Sequence, residues 1–362
     1  MSRIIFAVLV MVLLTTLMPA GAAETGNAQV KAEVQSPAFL PDVFSFREPT
    51  RPQVDLNGVW EFRRDKEEKG EELGWQEGKG EFKDTMTIPG APQAQGYGET
   101  THFRQKHYFF EPFWVRRTFR MPEVPSGSRL WLRVGGIFPA ADIYINGRHV
   151  GYTKSSRTQQ RVDVTQYVNS SADNLIAIKV CDLPKVTMDG LWEGAEFYKN
   201  WMGVYRPIAI EIANRQSVAD LYARPVLSAK SVHVSVDLSE NADAPLDLKL
   251  EVLDGRRIIA KTSAKVLSGS NSAVTDIKLR RFTTWSPEHP KLYTLRISVV
   301  RDGDAQPIDV STIRFGMREI TTTSDKFYLN GKPFRMKAYG DKQLYPETLA
   351  PPPDKDWYLP RL

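Results

Sequence analysis

The feature that most limits what this chain can fold into is a repeated local grammar. Short runs of alternating β-branched or aromatic residues each end in a turn pair, and no sustained helical period occurs before residue 320. Alternation at a period of two puts every second side chain on one face of a sheet, so such runs read as half-buried strands. Leu130-Trp131-Leu132-Arg133-Val134 runs into Gly135-Gly136, and Asp142-Ile143-Tyr144-Ile145 runs into Asn146-Gly147 before Arg148-His149-Val150-Gly151-Tyr152. An Asn-Gly pair between two such runs predicts a two-residue hairpin, because both turn positions need positive φ. Residues 47–216 are therefore expected to be all-β, two antiparallel sheets in a jelly-roll sandwich. In residues 217–318, Val232–Leu238, Leu246–Val252 and Leu292–Val299 alternate again, with turns at Asp254-Gly255 and Asp302-Gly303. Strands at that spacing over about 100 residues predict an immunoglobulin-like β-sandwich.

The two ends depart from this grammar. Arg3, the apolar run Ile4–Leu17 and the small residues Pro19-Ala20-Gly21-Ala22-Ala23 have the layout of a secretory signal peptide. Residues 1–23 are thus expected to be removed near Ala23, and the protein to be secreted or periplasmic. The apolar run is too short for a permanent anchor and no later segment is longer, so no membrane span is expected. Residues 24–46 show weak periodicity and read as a mobile lead-in. In the tail, Phe327–Phe334 reads as a hairpin and Pro351-Pro352-Pro353-Asp354 breaks the chain. The tail's apolar groups, including Phe334, Met336, Tyr339, Leu344, Tyr345, Trp357 and Leu359, are expected to dock loosely.

Charge and motif content exclude several functions. The 362 residues carry 48 Lys and Arg against 43 Asp and Glu. The two signs interleave without a basic stripe, so nucleic acid is not an expected partner. The mixed run Arg63–Lys69 reads as a solvated hairpin. Cys181 is the only cysteine, so no internal disulfide exists, and its strand-like context makes it a small buried thiol. The histidines (His102, His107, His149, His233, His289) are scattered singly, and phosphate-loop, dinucleotide and hydrolase-elbow motifs are absent. No metal or other cofactor is expected. One acidic cluster lies among aromatics, Asp189–Tyr198. It reads either as a sugar-binding loop, where ring faces stack on C–H groups, or as a loop held by buried aromatics with its acids in water.

A set of motifs in fixed order resembles glycoside hydrolase family 2, the β-galactosidase, β-glucuronidase and β-mannosidase group. Asp55-Leu56-Asn57-Gly58-Val59-Trp60-Glu61-Phe62 is similar to its opening strand, and Ile88-Pro89-Gly90 with Gly96-Tyr97-Gly98 to the next segment. Trp114–Phe119, Ala141–Gly147, Val162–Val168 with Asn174–Ala177, and Trp201–Arg206 resemble later segments of the family's sugar-binding domain. Trp285–Pro290 with Leu292-Tyr293, then Phe315–Ile320 and Phe327–Pro333, resemble the immunoglobulin-like domain and the entry to a (β/α)₈ barrel.

The resemblance implies hydrolysis of β-glycosides, with a catalytic acid/base and a nucleophile, both glutamates, on that barrel. A barrel takes about 250 residues, and only residues 319–362 follow the second sandwich. The expectation is therefore a sugar-binding jelly roll, an immunoglobulin-like sandwich and a short stub of the barrel, with no catalytic residue in the chain. Family members often place an acid six positions before the glycine of the Trp201–Arg206 motif. Phe197 stands there, with Glu196 beside it. The first barrel strand reads Ala338-Tyr339-Gly340-Asp341-Lys342, where glycine and lysine replace the family's asparagine and histidine. Glu196, Trp201 and Asp341 are the resulting sugar-binding candidates. The implied partners are a carbohydrate and a barrel encoded downstream. The alternatives are a stand-alone carbohydrate-binding module and an inert or structural sandwich fragment.

Overall fold

Asn146 (φ 52°) and Gly147 (φ 78°) both adopt left-handed conformations, and they join strands Ala141–Ile145 and Arg148–Thr153 in the expected hairpin. The computed structural model describes residues 37–46, 49–100, 107–109, 111–154, 157–181, 201–338, 345, 348–352 and 355–359. Among them are strands and short 3₁₀ turns but no α-helix.

The hairpin forms one edge of a six-stranded antiparallel sheet, which continues through Asp173–Val180, Phe113–Arg120, Gly58–Arg64 and Asp84–Ile88. A five-stranded sheet faces it, in the order Leu40–Pro41, Gln160–Asp163, Ser128–Val134, Ile208–Asn214, Gln53–Asp55. Between them lies one core, in which Leu130, Leu132 and Val134 meet Trp60, Phe62, Val115, Ile143 and Ile178. The alternation read from the sequence is thus the alternation of core and outer face. The second sandwich packs Val218–Val226, Ser231–Leu238 and Ser272–Lys278 against Arg257–Val266, Leu246–Asp254, Tyr293–Arg301 and Asp309–Phe315. Val232, Val234, Val236, Leu248, Leu250 and Ile297 fill its core.

Motifs that looked unrelated in the sequence meet as joints. Asn57 Oδ1 accepts from Ile208 N at 3.1 Å, fastening the first long strand to the last. Asn146 Nδ2 donates to Tyr167 O and Asn174 Oδ1, while its Oδ1 accepts from Leu175 N. In the second sandwich, the Arg318 guanidinium lies 4.6 Å from the Trp285 ring, and Asn330 Nδ2 donates to Trp285 O at 3.0 Å. A side chain at Gly316 would come within 2.8 Å of Trp285 Cβ, so the glycine makes room for that side chain against the backbone.

Three expectations are corrected. The lead-in is tethered at its end: Leu40 and Pro41 pair with Arg161 and Gln160, and Phe44 is buried in the second core. Burying one phenylalanine is worth about 1.5–3 kcal/mol, enough to offset the ordering of a residue or two. The run Arg63–Lys69 is not fully solvated either. Asp65 is buried, and its carboxylate accepts from Lys69 N, Gly70 N and Trp114 Nε1. In the tail, Met336 and Leu359 are exposed as expected, but Tyr345 and Leu349 are buried. The pairing of Leu40 with Arg161 and the bond from Trp114 to Asp65 join residues far apart in the chain, and such contacts leave no trace in local periodicity.

Candidate functional site

At one end of the first sandwich three segments are woven together. Gly203 and Val204 pair with Phe138 and Ile137, Gly90 N donates to Val204 O at 2.8 Å, and Tyr205 N donates to Gly136 O at 3.2 Å. The approach is close enough to require glycine. Gly203 has φ +149°, and a Cβ there would lie 2.4 Å from Gly90 O. The peptide bonds Ile88-Pro89 and Phe138-Pro139, in two of these segments, are cis.

This weave supports an aromatic cluster of Ala91, Phe138, Trp201, Tyr205, Leu349 and Ala350. The Trp201 ring lies 4.6 Å from Phe138 at 39° and 4.6 Å from Tyr205 at 66°. Trp201 retains 3% of its exposure. It therefore stiffens the wall of this end and offers no open ring face on which a sugar would stack. Gln93, close by in sequence, donates to Phe109 O at 2.6 Å, while its buried Oε1 has no hydrogen-bond partner. None of the cluster's side chains is a carboxylate, so the described part of this end supplies shape and apolar surface rather than acid–base chemistry. Glu196, Asp341 and the whole acidic–aromatic run Asp189–Tyr198 lie outside the described residues.

A second gathering of titratable groups sits on the outer face of the six-stranded sheet. Tyr144 hydrogen-bonds Glu71, His149 Nε2 lies 2.8 Å from Asp142 Oδ1, and Cys181 Sγ lies 3.8 Å from Asp142 Oδ2. Burial, reinforced by Asp142, pushes the Cys181 thiol up to about 11. Burial, together with the Glu71 hydrogen bond and the Asp142 charge, raises the Tyr144 phenol as well. Both groups hold their protons at neutral pH, so neither is poised as a nucleophile or base. Cys181 is the quiet, partly buried thiol that the sequence indicated.

A polar constellation among the described residues lies between the sandwiches and was not visible in the sequence. Arg51 Nε and Nη2 donate to Asp309 Oδ1 (2.7 Å) and Oδ2 (2.9 Å). Its Nη1 donates to Glu211 Oε1 at 2.8 Å, and Nη2 also reaches Val218 O and Ser311 Oγ at 2.8 Å. Burial opposes the charge on Arg51, yet the bonds and charges of Asp309 and Glu211 outweigh it and hold the guanidinium above its ordinary pKa. Only an inward polar residue in an otherwise outward row would have signalled this layer, and such residues look the same as solvated ones in sequence.

Comparison with known proteins follows this geometry closely. The profile "Glycosyl hydrolases family 2, sugar binding domain" matches residues 54–214, and the profile "Glycosyl hydrolases family 2" matches residues 216–318. A β-galactosidase large subunit from Leuconostoc lactis is 26% identical over 328 residues, covering 81% of this chain and 51% of that protein. A β-galactosidase from Thermoanaerobacter pseudethanolicus is 24% identical over 266 residues, covering 70% of this chain and 34% of that protein. The fold matches the structure of a Ruminococcus gnavus β-glucuronidase in complex with D-glucuronic acid, with TM-score 0.65 and 20% identity, over 83% of this chain and 51% of that one. The chain spans about a third to a half of the length of these relatives.

Proposed function

The chain belongs to glycosyl hydrolases family 2, and from this premise we propose that it is the sugar-binding and supporting portion of a β-glycosidase whose catalytic carboxylates lie outside it. Hydrolysis with retention needs two carboxyl groups about 5–5.5 Å apart, one acting as nucleophile and one as acid and then base. The observation that carries the proposal is the order of the two family domains across residues 54–318, in a chain whose described residues form only sandwiches and small sheets. In the whole enzyme the woven end around Gly203, Phe138 and Trp201 would form a wall beside the sugar, and Glu196 on the adjoining segment would contact a hydroxyl. A stand-alone sugar-binding module is less well supported, because Trp201, the aromatic candidate among the described residues, is buried.

The purified chain, residues 24–362, is expected to release no nitrophenol above buffer from nitrophenyl β-galactoside, β-glucuronide, β-glucoside or β-mannoside. Turnover that Glu196→Gln abolishes would place the catalytic site in this chain and overturn the proposal. We also propose that the protein is exported, on the strength of its charged start, apolar run and small-residue cleavage site. Mass spectrometry of the protein from its native host is expected to find an N-terminus near Glu24, whereas a retained Met1 would contradict export.

A further inference from the structure

The layer between the sandwiches has an imbalance that Arg51 does not relieve. Arg161 and Arg133 are directly opposed on neighbouring strands, so their side chains leave the same face of the sheet, about 5 Å apart at Cβ. Val162 and Leu132, next to them, point into the core. Arg161 donates from Nη2 to Ala219 O at 2.8 Å, in the second sandwich. Its Nε and Nη1 are buried and have no hydrogen-bond partner. Arg133 donates from Nε to Asp42 Oδ2 (2.7 Å) and from Nη2 to Phe44 O (2.6 Å). Its Nη1 lies 3.5 Å from Glu211 Oε2 without forming a hydrogen bond. The Arg161 guanidinium packs 4.6 Å from the Trp131 ring, and the buried Trp131 Nε1–H also lacks an acceptor.

Four orphaned donor nitrogens thus lie on one face of adjacent strands, three of them on guanidinium groups. Each buried donor without an acceptor keeps its full desolvation penalty, which is larger when the group is charged. The nearby carboxylates are already engaged: Asp42 by Arg133, Asp309 by Arg51, and Glu211 by both. The orphaned acceptor on this sheet is Gln53 Oε1, three strands from Arg161 and therefore about 14 Å away. A water molecule would accept from two of the donors but would then need acceptors for its own two protons. An anion needs none. Burial itself lowers the Arg161 pKa, which an adjacent negative charge would reverse.

We propose that this layer is an anion site, taking a monatomic halide (chloride in ordinary buffers) on Arg161 Nε and Nη1 with Arg133 Nη1. Its place between two packed sandwiches favours a monatomic ion over a polyatomic one. The bound ion would tie the first sandwich to the second, because Arg161 already spans both. It would be structural, and the inference is independent of the proposed sugar contacts.

The test is thermal unfolding of the full chain at constant ionic strength, with chloride or bromide replacing methanesulfonate. An ion that binds only the folded state raises the melting temperature in a saturable way, and a rise of about 3–6 °C is expected. In Arg161→Met the halide response should vanish, and in Arg161→Lys, which keeps charge but loses the fork, it should weaken. Crystals of the wild type grown in bromide need no variant to fold and should show an anomalous peak between Arg161 and Arg133. A response identical in methanesulfonate, a halide response that survives in Arg161→Met, or a site holding only water would each overturn the proposal.

Discussion

Replacing Arg51 by methionine is expected to destabilise the protein by about 3–5 kcal/mol, because it leaves partners of a buried ion pair uncompensated. Arg51 Nε and Nη2 grip Asp309 in the second sandwich while Nη1 holds Glu211 in the first. Asp309 Oδ2 also accepts from Val218 N at 2.9 Å, at the point where the chain passes between the two. Removal of the arginine should therefore separate the sandwiches thermally as well as weaken them. Calorimetry should show one transition in the wild type and two in Arg51→Met. Adding Asp309→Asn to that variant removes the stranded charge, and recovery of about half the loss is expected on the same grounds. A single transition with a loss below about 1 kcal/mol would assign Arg51 the weight of a surface ion pair.

Trp114→Ala is expected to cost about 3–5 kcal/mol, the range for deleting a buried aromatic side chain. Trp114 is fully buried, and its Nε1 donates to Asp65 Oδ2 at 2.8 Å. Its ring lies 5.4 Å from Tyr144 and 6.2 Å from Trp75. The substitution opens a cavity under the outer face of the six-stranded sheet and removes one of the partners that keep the Asp65 carboxylate buried. Chemical denaturation should show a lower midpoint with an unchanged slope. Trp114→Phe, which refills most of the space but not the hydrogen bond, is expected to recover most of the loss. Equal losses in both variants would assign the effect to the Asp65 hydrogen bond instead of the packing.

Trp114 also shows what the sequence made legible and what it did not. Its motif, Trp114–Phe119, was readable as a family signature, yet nothing in the residues gave its job. Arg116 pairs with Glu61 and stacks 3.9 Å from the Phe82 ring, and Arg117 donates to Leu56 O and Asn57 O. The motif is a structural brace. Alternation located the long strands because burial on one face imposes a period of two, and Asn146-Gly147 located a hairpin because few residue pairs tolerate two positive φ angles. Phe44, Asp42 and Arg51 escaped notice because each also has a partner 89 or more positions away, as in the bond from Arg133 to Phe44 O. Of the candidate sugar contacts, Trp201 is buried, while Glu196 and Asp341 fall outside the described residues.

The central proposal is that this chain shapes and supports a β-glycosidase site without supplying the nucleophile. It is tested most directly by incubation with 2-deoxy-2-fluoro β-glycosyl fluorides followed by intact-mass measurement. Such reagents trap the glycosyl-enzyme intermediate on the attacking carboxylate of a retaining enzyme. The expected result is an unmodified chain with each of the galactosyl, glucuronyl, glucosyl and mannosyl reagents. A stoichiometric adduct, mapped to one aspartate or glutamate of this chain, would contradict it.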